Sequence, residues 1–139
     1  MTFVLDACAI IAYLRGEIGA DYVENLILDE KCMVHAVNLC EVYYDCLFRG
    51  EANDIADEFV ERLEKMGIEL REDMDRNFWK MIASYKTRIK QASLSVSLAD
   101  CFVLSLADRE KATLITSDRR EFGPIYENGL FPYEIRFFR

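Results

Sequence analysis

The chain has 139 residues, 52% of them hydrophobic and 30% charged. That is enough apolar material for one domain with its own core, and too much for a disordered chain. Its 17 Lys and Arg against 25 Asp and Glu leave a formal charge of −8; this argues against a simple electrostatic binder of nucleic acid, but does not exclude a protein whose acids gather around a metal ion. The five cysteines (Cys8, Cys32, Cys40, Cys46, Cys101) are odd in number, lie in apolar runs and form no C-x-x-C pair. They read as reduced, mostly buried thiols, with Cys40 and Cys101 facing the core.

Phe3–Leu14 is apolar but follows no basic residue, is interrupted by Asp6 and is too short to span a bilayer. The expectation is a cytoplasmic protein with no membrane partner. Thr2–Leu5 is a β-type run ending at Asp6, and Ala7–Arg15 has helical character up to Gly16. Ala20–Leu28 predicts a second helix with Tyr22, Val23, Leu26 and Ile27 as its stripe. Cys32–Val37 reads as a strand, after which Asn38 opens a helix to about Phe48. Asp54–Met66 is the clearest helix, with Asn53 as a cap, Gly67 as a stop and Ile55, Phe59, Leu63 and Met66 at helical spacing. A short strand at Ile68–Leu70 precedes a helix over Arg76–Lys90 that carries Phe78, Ile82, Tyr85 and Ile89 on one face. A polar loop at Ser93–Ser97, a helix from Leu98 to about Arg109, and strands at Thr113–Thr116 and Glu134–Phe138 complete the chain. Alternating strands and helices imply an α/β fold with a parallel sheet covered on both faces, whose ligands bind at the carboxyl ends of its strands.

Four acids fall at the junctions that such a sheet gathers on one edge. Asp6 follows the first strand, Glu41 the second and Asp118 the strand at Thr113–Thr116, while Asp100 opens a helix. Helix capping is the plainest role for any one of them. Asn38-x-x-Glu41, Ser97-x-x-Asp100 and Asp118-x-x-Glu121 have capping-box spacing, and an acid at a helix start contributes roughly 0.3–1 kcal/mol against the macrodipole. Capping is a poorer explanation for four acids flanked by strongly apolar runs (FVLDACAII, SLADCFVLSLA, TLITSD). Crowded beside buried walls, carboxylates repel one another, and a divalent cation removes the repulsion. Acids without a His or Cys partner suit Mg²⁺ or Mn²⁺ rather than zinc, and the commonest chemistry of such a site is phosphodiester hydrolysis.

The segments Leu5–Leu14, Asn38-Leu39-Cys40-Glu41-Val42, Ser97-Leu98-Ala99-Asp100-Cys101 and Leu114-Ile115-Thr116-Ser117-Asp118 resemble the four acidic motifs of PIN domains, in the family's order and near its spacing. The small stand-alone VapC-type toxins are the best match, because the similarity runs from the first strand nearly to the last. The resemblance implies one PIN-like domain over residues 1–139, built as a three-layer sandwich around a five-stranded parallel sheet. It also implies a metal-dependent endoribonuclease that acts on an RNA substrate, is blocked by a cognate antitoxin and is commonly a homodimer. Asp6, Glu41, Asp100 and Asp118 would form its site; in the mechanism expected here Asp6 and Asp100 hold the principal ion, and Asp118 and Glu41 either hold a second ion or orient the attacking water. Asn38 and Thr116 match polar positions that support those acids. Where the family usually has Ser or Thr two residues after the first Asp, this chain has Cys8, a poorer hydrogen-bonding group.

Arg119 and Arg120 follow Asp118 at once and are candidates for contacting the RNA backbone. The central basic group (Arg71, Arg76, Lys80, Lys86, Arg88, Lys90) reads equally well as a solvated helix face. His35, the only histidine, is read as structural, and the tail aromatics Phe131, Tyr133, Phe137 and Phe138 as packing of the last strand or a dimer contact. The helix bearing Phe59 and Leu63 either covers the core or offers an apolar groove to an antitoxin. The alternative function is a catalytically inactive module of the same fold that binds RNA or protein. Phosphotransfer through Asp6 is set aside: Cys8 stands where a second Asp would be needed, and no acidic pair precedes a phosphoacceptor.

Overall fold

The computed structural model describes residues 1–139. Its strands are β1 (Thr2–Leu5), β2 (Lys31–His35), β3 (Glu69–Arg71), β4 (Thr113–Thr116) and β5 (Ile135–Phe137). They form one sheet in the order β3-β2-β1-β4-β5, with every neighbouring pair parallel. The helices are α1 (Ala7–Arg15), α2 (Ala20–Asp29), α3 (Ala36–Phe48), α4 (Asn53–Lys65), α5 (Arg76–Gln91), α6 (Leu98–Glu110) and α7 (Arg119–Glu127).

The period-2 alternation of the strands divides the apolar residues between two cores. Phe3, Leu5, Cys32, Val34 and Ile115 face one side and pack with residues of α1–α4 such as Ile10, Val23, Val42 and Leu63. Val4, Met33, Leu114 and Ile135 face the other and pack with α5, α6 and α7. The three-layer sandwich follows directly. The stripe expected on α5 (Phe78, Ile82, Tyr85, Ile89) is buried. Helix α6 is buried without a break from Cys101 to Ala107, as befits a helix enclosed on all sides. The tail aromatics serve the fold: Phe131 is buried, Tyr133 and Phe137 pack on one core, and Phe138 on the other. No helix is long and apolar enough to cross a membrane.

Several local expectations change. β2 ends at His35 rather than Val37, because the His35 ring caps α3: its Nδ1 accepts from the Val37 N–H at 3.1 Å, while its Nε2 donates to the Asp73 carbonyl at 2.9 Å. Histidine is therefore structural, and Asn38 lies inside the first turn of α3, released from capping. Ala52, not Asn53, precedes α4. Helix α7 is not among the elements that hydrophobic periodicity predicts, since Gly123 and Pro124 interrupt it. Cys40 is exposed while Cys32, Cys46 and Cys101 are buried. The core-facing stripe of α3 is Asn38, Val42 and Cys46, and Cys40 stands two residues, or about 200°, away from it.

Candidate metal centre

The chain runs outward from β1 through β2 to β3, then returns to add β4 on the other side of β1. The switch point therefore lies between the carboxyl ends of β1 and β4, where open α/β sheets bind their ligands. Asp6 and Asp118 occupy it. β1 and β4 are paired at Leu5 and Ile115, and the Asp6 N–H donates to the Ile115 carbonyl at 3.2 Å. Glu41 comes from the second turn of α3. Asp100 comes from the first turn of α6, whose N-terminus is brought to the same edge.

All four predicted acids line one cavity of about 310 Å³, together with Cys8 and Tyr44. The tightest group is not the predicted four, however. Asp100, Asp118 and Glu121 each present an oxygen, and these lie within 4.8 Å of one another. Glu121 is the residue that sequence reasoning passes over, taking it only as a capping partner; its i+3 spacing from Asp118 is the available signal. Capping itself is real but partial. One oxygen of Asp6 accepts from the Ala9 N–H at 3.1 Å and one of Asp118 from the Glu121 N–H at 3.1 Å. The α6 cap is Ser97, which accepts from the Asp100 N–H at 3.0 Å. The side chains of Asp100 and Glu41 cap nothing.

Polar neighbours hold these acids in place. The Thr116 hydroxyl donates to Asp6 Oδ2 at 2.5 Å and accepts from the Asp118 N–H at 3.0 Å, so one buried side chain ties the two strand ends together. Cys8 Sγ donates to Asp6 Oδ1 at 2.8 Å and accepts from the N–H and hydroxyl of Ser117, each at 3.2 Å. Asn38 donates through Nδ2 to Glu41 Oε2 at 3.2 Å.

The electrostatics of the cavity are those of crowded, uncompensated negative charge. None of Asp6, Glu41, Asp100, Asp118 and Glu121 takes part in an ion pair. By contrast Asp45, on the same rim, pairs with Arg15 and Arg49. Burial pushes the Asp6 carboxyl up to about 6, against the lowering effect of Cys8, Thr116 and Ala9, with the Glu41 charge adding to the rise. Asp100 is raised by burial and then by the hydrogen bond and charge of Glu121. Glu41 is raised by burial and by Glu121, against its bond from Asn38.

This donor set suits a hard divalent cation. The groups are carboxylate oxygens, and the one histidine is committed elsewhere. The Cys8 thiol, pushed up to about 12 mainly by burial, keeps its proton and donates it in a hydrogen bond to Asp6 rather than offering a thiolate. The fully buried Asn38 Oδ1 also lacks a hydrogen-bond partner beside Glu41, an orphaned acceptor of the kind an ordered water satisfies. The two arginines after Asp118 diverge. Arg119 lies over the Phe137 ring at 4.8 Å and donates to the Arg139 carbonyl at 3.2 Å, while Arg120 lines a second cavity with Asp118 and Glu121.

The fold is shared with solved structures. The fold is similar to VapBC2 from Rickettsia felis bound to a promoter DNA fragment, with a TM-score of 0.76 at 17% identity, covering 99% of this chain and 98% of the other. DNA-bound VapBC from Salmonella typhimurium gives a TM-score of 0.76 at 16% identity, covering 100% and 99%. VapC20 of Mycobacterium tuberculosis, described as a toxin that cleaves the sarcin-ricin loop, gives 0.63 at 10% identity, covering 81% and 86%. No curated protein matches the chain closely in sequence. The PIN domain family matches residues 3–127, all but the two ends of the sheet-and-helix framework that carries the acids, and the chain belongs to that family.

Proposed function

We propose that this protein is a divalent-cation-dependent endoribonuclease, the toxin of a toxin–antitoxin pair, that hydrolyses RNA phosphodiester bonds with Mg²⁺ or Mn²⁺. The observation that carries the reading is the convergence of five carboxylates without a cationic partner at the switch point of the sheet. Family membership supports nuclease chemistry, and a structural relative described as cleaving the sarcin-ricin loop supports RNA as the substrate.

Asp6, Asp100, Asp118 and Glu41 are the residues we assign to holding the ion, with Glu121 added to them. When bound, the ion supplies the positive charge that polarises a phosphoryl oxygen and makes water a competent nucleophile. The chain's own contribution is preorganisation. Asp6 is immobilised by three donors, and Thr116 fixes the spacing of Asp6 from the Asp118 backbone. Glu121 stands with Asp100 and Asp118 in the tightest group of carboxylates, where an acid can also accept a proton from water. No side-chain nucleophile is required. Attack by water, without the ribose 2′-hydroxyl, leaves a 3′-hydroxyl and a 5′-phosphate.

An antitoxin fits the surface next to this cavity. Between α3 and α4 runs an all-apolar groove of about 400 Å³, lined by residues including Leu39, Tyr43, Leu47 and Val60, and Tyr44 belongs to both the groove and the acidic cavity. An amphipathic segment laid in it would reach the acids directly. A homodimer, as the family resemblance implies, completes the proposed partners.

The test is incubation of the purified chain with RNA, with Mn²⁺ or with EDTA, followed by mapping of the ends. Cleavage that requires the ion, leaves 5′-phosphates and falls at least about 100-fold in Asp6→Asn or Asp100→Asn supports the reading. Undiminished cleavage by both variants refutes the site, and no cleavage with any divalent ion leaves the inactive binding module.

A further inference from the structure

We infer that, beyond the carboxylates, the RNA strand follows a basic-rimmed trough between α5 and α7, its phosphates gripped by Arg120, Lys86 and Lys90. The inference rests on the nuclease reading above and says where the substrate runs.

The trough is made of two cavities, of about 430 and 230 Å³, that share Leu94 and Ser95 as a common wall. The larger opens onto Asp118 and Glu121 and has Arg120 on its rim; the smaller is lined by Lys86 and Lys90. The two cavities thus meet at Leu94 and Ser95, with Arg120 next to the acidic centre and the two lysines beyond the α5–α6 connection. Lys86 and Lys90 are one helical turn apart on α5, a spacing that sets two ammonium groups on one face.

Their charges are available. Neither lysine nor Arg120 is in an ion pair, although Arg120 stands beside two acids. The Lys86 ammonium donates to the Val96 carbonyl, which pins it to the trough wall. Elsewhere in the central basic group, Arg71 is neutralised by Asp73 and Glu110, and the Arg88 guanidinium lies over the Tyr85 ring at 4.6 Å. Arg119 is similarly taken up by Phe137 and the chain terminus. A molecule of net charge −8 repels a polyanion at long range, so a strand reaching carboxylates needs fixed cations next to them. The exposed Ser95 hydroxyl offers a further donor for phosphate oxygens. A nucleic-acid strand is favoured over an acidic peptide because the trough ends at a centre suited to phosphodiesters, which makes its occupant a continuation of the substrate.

The experiment is anisotropy of a fluorescein-labelled single-stranded RNA of about 12 nucleotides, in EDTA so that binding is read without cleavage, across about 50–200 mM NaCl. Removing one phosphate-binding cation should lower the slope of log K against log salt by about 0.7. We expect a drop of about 1.4 for Lys86→Ala with Lys90→Ala, and about 0.7 for Arg120→Ala. Arg119→Ala and Lys65→Ala, the latter on the far end of α4, should leave the slope unchanged. The Lys90 side chain makes no hydrogen bond, so Lys90→Glu is a fold-neutral check that should weaken binding beyond Lys90→Ala. Slopes and affinities equal to wild type in the trough variants overturn the trough while leaving cleavage in Mn²⁺ as the independent measure of the nuclease reading. Failure of the wild type both to bind RNA and to cleave it overturns the two together. A poly-glutamate peptide bound as tightly as RNA, with the same dependence on Lys86 and Lys90, overturns RNA as the occupant.

Discussion

Asparagine at position 6 should make the metal-free protein more stable while destroying its activity. The Asp6 carboxyl rises from the ordinary 3.8 to about 6, first because it is buried. Two pH units correspond to about 3 kcal/mol by which the folded state disfavours the ionised form. A carboxyl with a raised folded value contributes stability fully below its unfolded value, and that contribution disappears as pH rises through 6. In EDTA at pH 8, Asp6→Asn removes the buried charge and keeps an acceptor for Ala9 and Cys8, so it should gain up to about 3 kcal/mol over wild type. By pH 5 wild type has recovered about half of that difference through protonation, and the two should approach one another. Urea unfolding at pH 5, 6, 7 and 8, with and without Mg²⁺, is the assay. Mg²⁺ should stabilise wild type at pH 8 and do much less for the variant. A variant that is destabilised, or equal to wild type at every pH, would refute the argument that uncompensated buried charge accumulates at this edge.

Thr116→Ala removes both the donor to Asp6 and the acceptor for the Asp118 N–H. It should cost about 1–3 kcal/mol in urea unfolding and lower cleavage, while Thr116→Ser restores most of both. Gly19 has φ +91°, and a Cβ there would lie 2.5 Å from the Phe138 ring, whereas Gly50, at φ +87°, has open space. Gly19→Ala should therefore destabilise the protein by at least about 1 kcal/mol more than Gly50→Ala, as read by thermal unfolding. Among the thiols, Cys40 is exposed, and the Cys8 thiol is both raised to about 12 and engaged with Asp6. Iodoacetamide followed by peptide mass mapping should find Cys40 modified first and Cys8 spared.

The acids are legible because each stands at a junction between elements, and junctions of a parallel sheet share an edge whatever the details of packing. The same reasoning cannot rank them. Glu121 joins Asp100 and Asp118 in the tightest cluster, yet one helical turn beyond a cap is also where a capping partner belongs. Its second role exists only once α6 has been brought across from another part of the chain. Helix α7 is hidden by Gly123 and Pro124, which lower local propensity; packing of Phe122 and Ile125 into the core overrides it. Asn38 reads as a helix opener, but His35 takes that role through its ring, and Asn38 is left to hold Glu41. Arg119 and Arg120 are indistinguishable in sequence. Adjacent helical residues diverge by about 100°, which sends one to the last strand and the other to the cavity beside Asp118. What escapes the sequence is consistently the tertiary partner, not the local element.

The most direct measurement is anomalous diffraction from crystals of the protein soaked in Mn²⁺. The account expects a peak within coordinating distance of carboxylate oxygens of the group Asp6, Glu41, Asp100, Asp118 and Glu121, and its disappearance in Asp100→Asn crystals. A strong peak confined to another part of the surface, or none at millimolar Mn²⁺, would contradict it.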